Sequence, residues 1–130
     1  MTSRPRGERR AKDELGRFGE DLAARHLVES GAEILDRNWR CREGELDIVA
    51  REAGTLVFCE VKTRSGTRFG TPAEAVAGRK AARVRLLAVR WLAAHPRLRG
   101  PVRFDLLAVS RDLIPGVPEA MRVEHRRGAF

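Results

Sequence analysis

The fold of this 130-residue chain is decided by residues 44–62, which read GELDIVAREAGTLVFCEVK. Apolar and polar residues alternate over residues 45–50 and again over 55–62, a pattern typical of half-buried β-strands. The short link between the two runs ends in glycine, so the stretch predicts an antiparallel hairpin. These are the strongest strand signals in the chain.

The predicted hairpin carries a cluster of charged side chains. Because side chains alternate across a strand, Glu60 and Lys62 share one face, as do Glu45 and Asp47 on the preceding strand. If the strands pair, Asp47 and Glu60 lie side by side, and adjacent carboxylates repel each other unless a cation lies between them. Such oxygen ligands suit Mg²⁺ or Mn²⁺, and Lys62 could position water or steady charge on a phosphate. The alternative is an ordinary cross-strand ion pair of Lys62.

A helix predicted over residues 15–30 brings a third acid towards this cluster. Apolar residues recur there three and four apart, and Gly31 would end the helix. Glu20 borders the apolar face of the helix, where a carboxylate needs a partner. Either the metal site of the sheet or an arginine could be that partner.

The remaining elements complete a single α/β domain in the order α-β-β-β-α-β. We expect a first strand over residues 33–39, a long helix over 73–94 and a further strand over 102–109. Residues 121–125 could add a short edge strand. Residues 1–14 are polar and charged without periodicity, so we expect a mobile basic arm ahead of the domain at 15–130. A solvated tail without function is the alternative for that arm.

The charge balance points to a polyanionic partner. The chain holds 26 Lys and Arg against 18 Asp and Glu, which gives a net charge of +8, and nucleic acid is the simplest partner for such an excess. The long helix and the loop before it supply a set of basic side chains that could contact phosphates. This set is Arg64, Arg68, Arg79, Lys80, Arg83 and Arg90. A solvated basic face is the alternative.

Composition also excludes several classes of protein. No run of about 18 apolar residues is present, so we expect no membrane span. The first residues lack the apolar core of a secretory signal, and two cysteines are too few for a disulfide scaffold. We therefore expect a cytoplasmic protein. Nucleotide-binding glycine motifs are missing as well.

Several short motifs occur along residues 15–130, and the chain closes with Ala129-Phe130. These motifs are GRFGEDLAA (16–24), NWRC (38–41), GELDIV (44–49), VFCEVKTR (57–64), FG (69–70), Lys80 and RFD (103–105). With them the sequence resembles the YraN-like family of bacterial proteins over residues 15–130. That family is placed in the restriction-endonuclease-like superfamily of Asp…Glu-x-Lys nucleases and is similar to Holliday-junction resolvases.

The resemblance implies a central mixed sheet flanked by helices and a role for each site residue. Asp47 and Glu60 would hold the metal, Mg²⁺ or Mn²⁺, with the backbone carbonyl of Val61 as a third ligand. Lys62 would be the catalytic lysine, and Glu20 would complete the catalytic set from its helix. Glu45 also matches a family motif residue and would support the site.

The implied activity is hydrolysis of phosphodiester bonds in DNA, including branched or damaged DNA. Resolvase-like nucleases often act as dimers, so the resemblance also implies a homodimer. An accessory protein that binds nucleic acid without cleaving it is the alternative function, and Glu60 and Lys62 would then form a structural ion pair. A protein–protein module in DNA repair or uptake is a third hypothesis.

Overall fold

The structure is a computed structural model that describes residues 6–65, 78–114 and 117–130. Within these residues, two helices and five strands follow one another in the order α-β-β-β-α-β-β. They are α1 (Arg6–Glu29), β1 (Glu33–Cys41), β2 (Gly44–Glu52), β3 (Thr55–Ser65), α2 (Arg79–Ala94), β4 (Val102–Ile114) and β5 (Val117–Arg126). The predicted α/β class is confirmed. Strand β5 adds one strand to the predicted order and contains the short edge strand that residues 121–125 suggested.

The five strands form one mixed sheet in sequence order, β1-β2-β3-β4-β5. Strands β3 and β4 run parallel, whereas the pairs β1–β2, β2–β3 and β4–β5 are antiparallel. A parallel pair needs a crossover connection, and α2 lies within the connection between β3 and β4. The hairpin of β2 and β3 therefore stands in the middle of the sheet.

A two-residue turn sets the register of that central hairpin. Glu52 pairs with Thr55, and the residues between them, Ala53 and Gly54, have φ angles of 49° and 82°. Two successive positive φ values are typical of the tight turn whose twist matches that of paired strands. The turn is shorter than the four-residue link we predicted, so both strands extend further towards it.

Each face of the sheet is covered by one helix, and each interface has its own apolar core. Alternation along β3 sends Val57 and Cys59 towards α1, and Leu56 and Phe58 towards α2. Buried residues of α1 in the first core are Ala23, Ala24 and Leu27. Those of α2 in the second core are Val84, Leu87, Ala88 and Trp91, which lie on one face of the helix because they recur three and four residues apart.

Helix α1 begins earlier than the sequence pattern indicated. We expected residues 1–14 to form a mobile arm, but residues 6–14 are helical, and residues 1–5 lie outside the described part of the chain. The stretch is rich in Arg, Glu, Lys and Ala, which favour helices even without an apolar period. At the other end, Gly31 adopts a φ of 94° and Ala32 N–H donates to the Leu27 carbonyl at 2.9 Å, which confirms the predicted stop.

Helix α2 ends at Ala94, just before Pro96, as predicted. Its described part begins at Arg79, and residues 66–77, which include the start predicted at 73, lie outside the described residues. Trp91 anchors the helix, because its indole N–H donates to Asp36 of β1 at 2.9 Å. Within the described ranges, neither helix is both long and apolar enough to cross a lipid bilayer.

Candidate active site

The candidate site lies where β2 and β3 part. Their pairing ends at Ile48 and Cys59, although β3 continues beside β4 as far as Ser65. The backbone N–H of Val61 faces the gap and donates to the Asp47 carboxylate at 2.8 Å. The N–H and C=O of one strand residue point to the same side, so the Val61 carbonyl also faces β2. The Asp47 carboxylate thus accepts a hydrogen bond from β3 beyond the point where the backbones of β2 and β3 stop pairing.

Glu60 lies beside Asp47 as the register predicted. The side chain of Glu60 is only 12% exposed, and one of its oxygens, Oε1, meets two ammonium groups. Lys80 Nζ of α2 is 2.8 Å from that oxygen, and Lys62 Nζ is 3.7 Å from it. Lys62 therefore does pair with a carboxylate, and Lys80 pairs with the same one more closely.

The electrostatics of the acid pair are unfavourable for two negative charges. Burial, and next the charge of Glu60, raise the pKa of Asp47 to about 7, although the Val61 N–H acts in the opposite direction. The pair therefore holds a proton near neutral pH unless a cation compensates its charge. A buried acid with a strongly raised pKa beside a second acid is a typical mark of a functional site.

The two lysines respond differently to this environment. Burial, followed by the neighbouring Lys80, lowers the pKa of Lys62. Burial also acts to lower the pKa of Lys80, but the hydrogen bonds to Glu60 and Lys62 and the negative charges of the acid pair together outweigh it and raise that pKa. Lys80 is thus the firmly charged partner of Glu60, while Lys62 gives up its proton more readily than an ordinary lysine.

A cavity of about 380 Å³ opens beside the acid pair, between β2, β3 and α2. Its charged lining combines three acids and three bases: Glu45, Asp47, Glu60, Arg79, Lys80 and Arg83. Six of the predicted site residues therefore share one cavity. The acids stand on β2 and β3 and the bases on α2. The cavity therefore offers oxygen ligands suited to a metal and cationic groups suited to a phosphate.

Glu20 approaches the site from α1 but has an arginine as its direct partner. Arg37 of β1 lies 3.3 Å from Glu20 and 2.7 Å from Asp21. Burial raises the pKa of Glu20 despite this contact, and the charge of Glu20 in turn raises the pKa of Asp47. Glu20 is therefore close enough to act on the pair electrostatically, and its arginine contact is the alternative that the sequence left open.

The other predicted residues lie around this centre. Glu45 forms an ion pair with Arg40 at 3.1 Å. Arg90, near the C-terminal end of α2, forms one with Glu43 at 3.1 Å. Arg64 lies on β3, two residues beyond Lys62 and on the same strand face. Arg68 lies outside the described residues.

Two contacts were missed by the sequence analysis. The first is the contact of Arg37 with Glu20. It depends on the register of β1 on β2, in which Arg37 pairs with Ile48, and no local pattern indicated that register. The Lys80–Glu60 pair joins residues 20 positions apart on different elements. Its one sequence signal was a lysine near the start of a helix, where the helix dipole disfavours a cation.

The donor set fits a hard divalent cation with few protein ligands. Among the described residues, no three His, Cys, Asp or Glu side chains are grouped so that they could hold one metal ion. Asp47 and Glu60 supply two carboxylates, and the Val61 carbonyl faces the same gap. Mg²⁺ is usually bound through one or two carboxylates and keeps several waters, so this small set suffices.

Sequence comparisons place the chain among bacterial relatives. The family model of "Uncharacterised protein family UPF0102" matches residues 19–109. A UPF0102 protein of Frankia casuarinae is 69% identical over 93% of this chain and 99% of its own length. One from Acidothermus cellulolyticus is 51% identical over 95% of this chain and 98% of its own. The chain therefore belongs to the uncharacterised family UPF0102, the YraN family, which confirms the resemblance in its sequence.

Proposed function

We propose that this protein is a nuclease that hydrolyses phosphodiester bonds in DNA with Mg²⁺ or Mn²⁺ as cofactor. The observation that carries the proposal is the acid pair of Asp47, which is partly buried, and Glu60, which is buried; the pair adjoins two lysines and opens into a cavity that three basic side chains of α2 also line. Asp47 makes no ion pair with a described residue, and burial together with repulsion by the charge of Glu60 raises its pKa to about 7. A divalent cation would remove that repulsion.

Asp47 and Glu60 would hold the metal, with the Val61 carbonyl as a further ligand. When bound, a divalent metal lowers the pKa of water and polarises a phosphoryl oxygen. The hydrogen bond from Val61 N–H fixes the Asp47 carboxylate, which leaves its other oxygen for the cation. Burial of Glu60 keeps competing water away from the second carboxylate.

Lys62 would orient the attacking water and move its proton. Its Nζ lies 3.7 Å from Glu60, and burial lowers its pKa, so it can release and accept a proton more easily than an exposed lysine. Arg79 and Arg83 line the outer cavity, where guanidinium groups would hold flanking phosphates. Glu20 would adjust the charge of the acid pair from α1.

The test is a cleavage assay on linear duplex, single strand, flap, four-way junction and RNA, with Mg²⁺, Mn²⁺ or EDTA. We expect metal-dependent cleavage of DNA that falls at least about 10²-fold in Lys62→Ala, as for removal of a group that stabilises a transition state. DNA and Mn²⁺ binding should stay within about threefold of wild type. Arg99→Ala, which removes an exposed cation outside the cavity, is the control and should cleave normally.

A second candidate function is nucleic-acid binding without cleavage. The observation that favours it is the 2.8 Å contact of Lys80 with Glu60, which compensates one carboxylate without any metal. Salt-sensitive DNA binding with no cleavage of any substrate would support this accessory function over the nuclease.

A further inference from the structure

We propose that Lys80 is a tethered counter-ion that holds Glu60 in the metal-free protein and that a divalent cation must displace. The inference rests on the metal-dependent function above and assigns Lys80 a positioning role within it. Lys80 thereby sets how tightly the site binds its metal. The interaction with nucleic acid that we expected for Lys80 would begin only after this displacement.

The contact geometry supports competition for one carboxylate oxygen. Glu60 Oε1 already has Lys80 Nζ at 2.8 Å and Lys62 Nζ at 3.7 Å. A divalent cation ligated by the same carboxylate would bring a third positive centre within a few ångströms of both. The two lysine side chains are almost equally exposed, at 35% for Lys80 and 32% for Lys62. The difference lies in their backbones, because Lys80 reaches Glu60 from α2, whereas Lys62 stands on β3 two residues from Glu60 and stays near it.

The ion pair with Glu60, rather than the dipole of α2, keeps the Lys80 ammonium in place. Lys80 is the second residue of the described helix, whose first turn contains no acidic residue. The helix dipole disfavours a cation at this end, so the helix itself does not stabilise the ammonium. Glu60 is its ion-pair partner among the described residues, and that contact is lost when the metal takes the carboxylate.

The displaced ammonium has a destination in the same cavity. Lys80, Arg79 and Arg83 line it together, so a substrate phosphate could accept the ammonium that Glu60 releases. The metal and the substrate then favour the same position of Lys80. In the absence of both, the ion pair with Glu60 keeps the buried acid compensated.

The experiment measures Mn²⁺ affinity by calorimetry on the full-length wild type, Lys80→Met and Arg79→Met. Arg79→Met is a matched control, because it removes an adjacent positive charge from the same cavity and Arg79 makes no ion pair with a described residue. We expect Lys80→Met to bind Mn²⁺ about tenfold more tightly than wild type, which corresponds to 1.4 kcal/mol. Arg79→Met should tighten binding by less than about threefold, through longer-range charge alone.

A second readout separates this role from a merely structural one. In EDTA, Lys80→Met should melt at a lower temperature than wild type, because buried Glu60 loses its closer partner. Added Mn²⁺ should then raise the melting temperature of Lys80→Met more than that of wild type. A structural residue would lower stability without tightening metal binding. Lys80→Gln serves as a second variant if Lys80→Met does not fold.

Equal Mn²⁺ affinity of wild type and Lys80→Met, or equal tightening by both variants, would overturn the counter-ion role and leave metal binding intact. Absence of Mn²⁺ binding in all three proteins would instead overturn the metal-dependent function, and the counter-ion role with it. Tighter binding in Lys80→Met without cleavage by any protein would support the counter-ion and refute the nuclease. The two proposals can therefore fail separately.

Discussion

Replacing Asp47 by asparagine should make the metal-free protein more stable, although the substitution removes a proposed metal ligand. The pKa of Asp47 is raised to about 7 by burial and by the charge of Glu60. An acid whose folded pKa lies above its unfolded value of 3.8 loses stability as pH rises from the unfolded pKa to the folded one. Asparagine keeps an oxygen for the Val61 N–H and carries no charge, so it escapes this loss.

The pKa shift gives the size of the effect. A shift of about three units corresponds to about 4 kcal/mol above pH 7. We expect about 2 kcal/mol, because the coupled acid pair relaxes and solvent reaches part of Asp47. For a chain of this length, 2 kcal/mol raises the melting temperature by about 8 °C.

The assay is thermal unfolding in EDTA at about pH 8 and about pH 4, with Asp21→Asn as the matched control. Asp21 is 62% exposed in a surface ion pair, so its variant should stay within about 0.5 kcal/mol of wild type. Asp47→Asn should gain most of its stability at the higher pH and little at the lower one. A gain that is equal at both pH values, or no gain at all, would refute the reasoning. Added Mn²⁺ should stabilise wild type and not Asp47→Asn.

Two further predictions concern other parts of the fold. Gly19→Ala should destabilise the protein by about 1 to 3 kcal/mol in urea unfolding, because a Cβ at this position of α1 would overlap the side chain of Thr63. Gly16→Ala is its control, since nothing lies within 4 Å of the added methyl group, and it should be neutral or stabilising. Glu52, whose pKa is lowered to about 2 chiefly by the Arg127 guanidinium, should contribute stability above pH 4.5 that is lost as pH falls towards 2. Glu52→Gln should remove about 1 to 2 kcal/mol of that pH dependence in acid unfolding, because solvent screens the half-exposed Arg127.

Local patterns in the sequence were sufficient to predict that Asp47 and Glu60, at the centre of the candidate site, lie side by side. Strand alternation and a short turn determine which residues of β2 and β3 face each other, and the register that starts at Glu52 and Thr55 runs to Ile48 and Cys59. One more step brings Asp47 beside Glu60. The acid pair was predictable because both residues lie on one hairpin, where separation in sequence fixes separation in space.

The contacts of Lys80 and Glu20 could not be predicted from strand alternation, because their partners lie on other elements. Lys80 meets Glu60 through the crossover helix, whose rotation on the sheet depends on how Trp91 packs and bonds to Asp36. The partner of Glu20 depends on the pairing of β1, which contains an irregularity between residues 34 and 36. Such a bulge shifts the side chains that follow it, and alternation read from the sequence does not reveal it.

A comparison of two aspartates of the same sheet, the buried Asp105 and the partly buried Asp47, shows why function is better sought at Asp47. Burial alone would raise the pKa of Asp105, but hydrogen bonds from His125, Arg103 and the Gly128 N–H lower it to about 2. Its charge is fully compensated by the protein's own groups. Asp47 has one backbone donor and an acidic neighbour, and its pKa is raised to about 7. Because the protein's own groups lower the pKa of Asp105 and leave that of Asp47 raised, Asp47 is the better of the two positions at which to test for a bound cation.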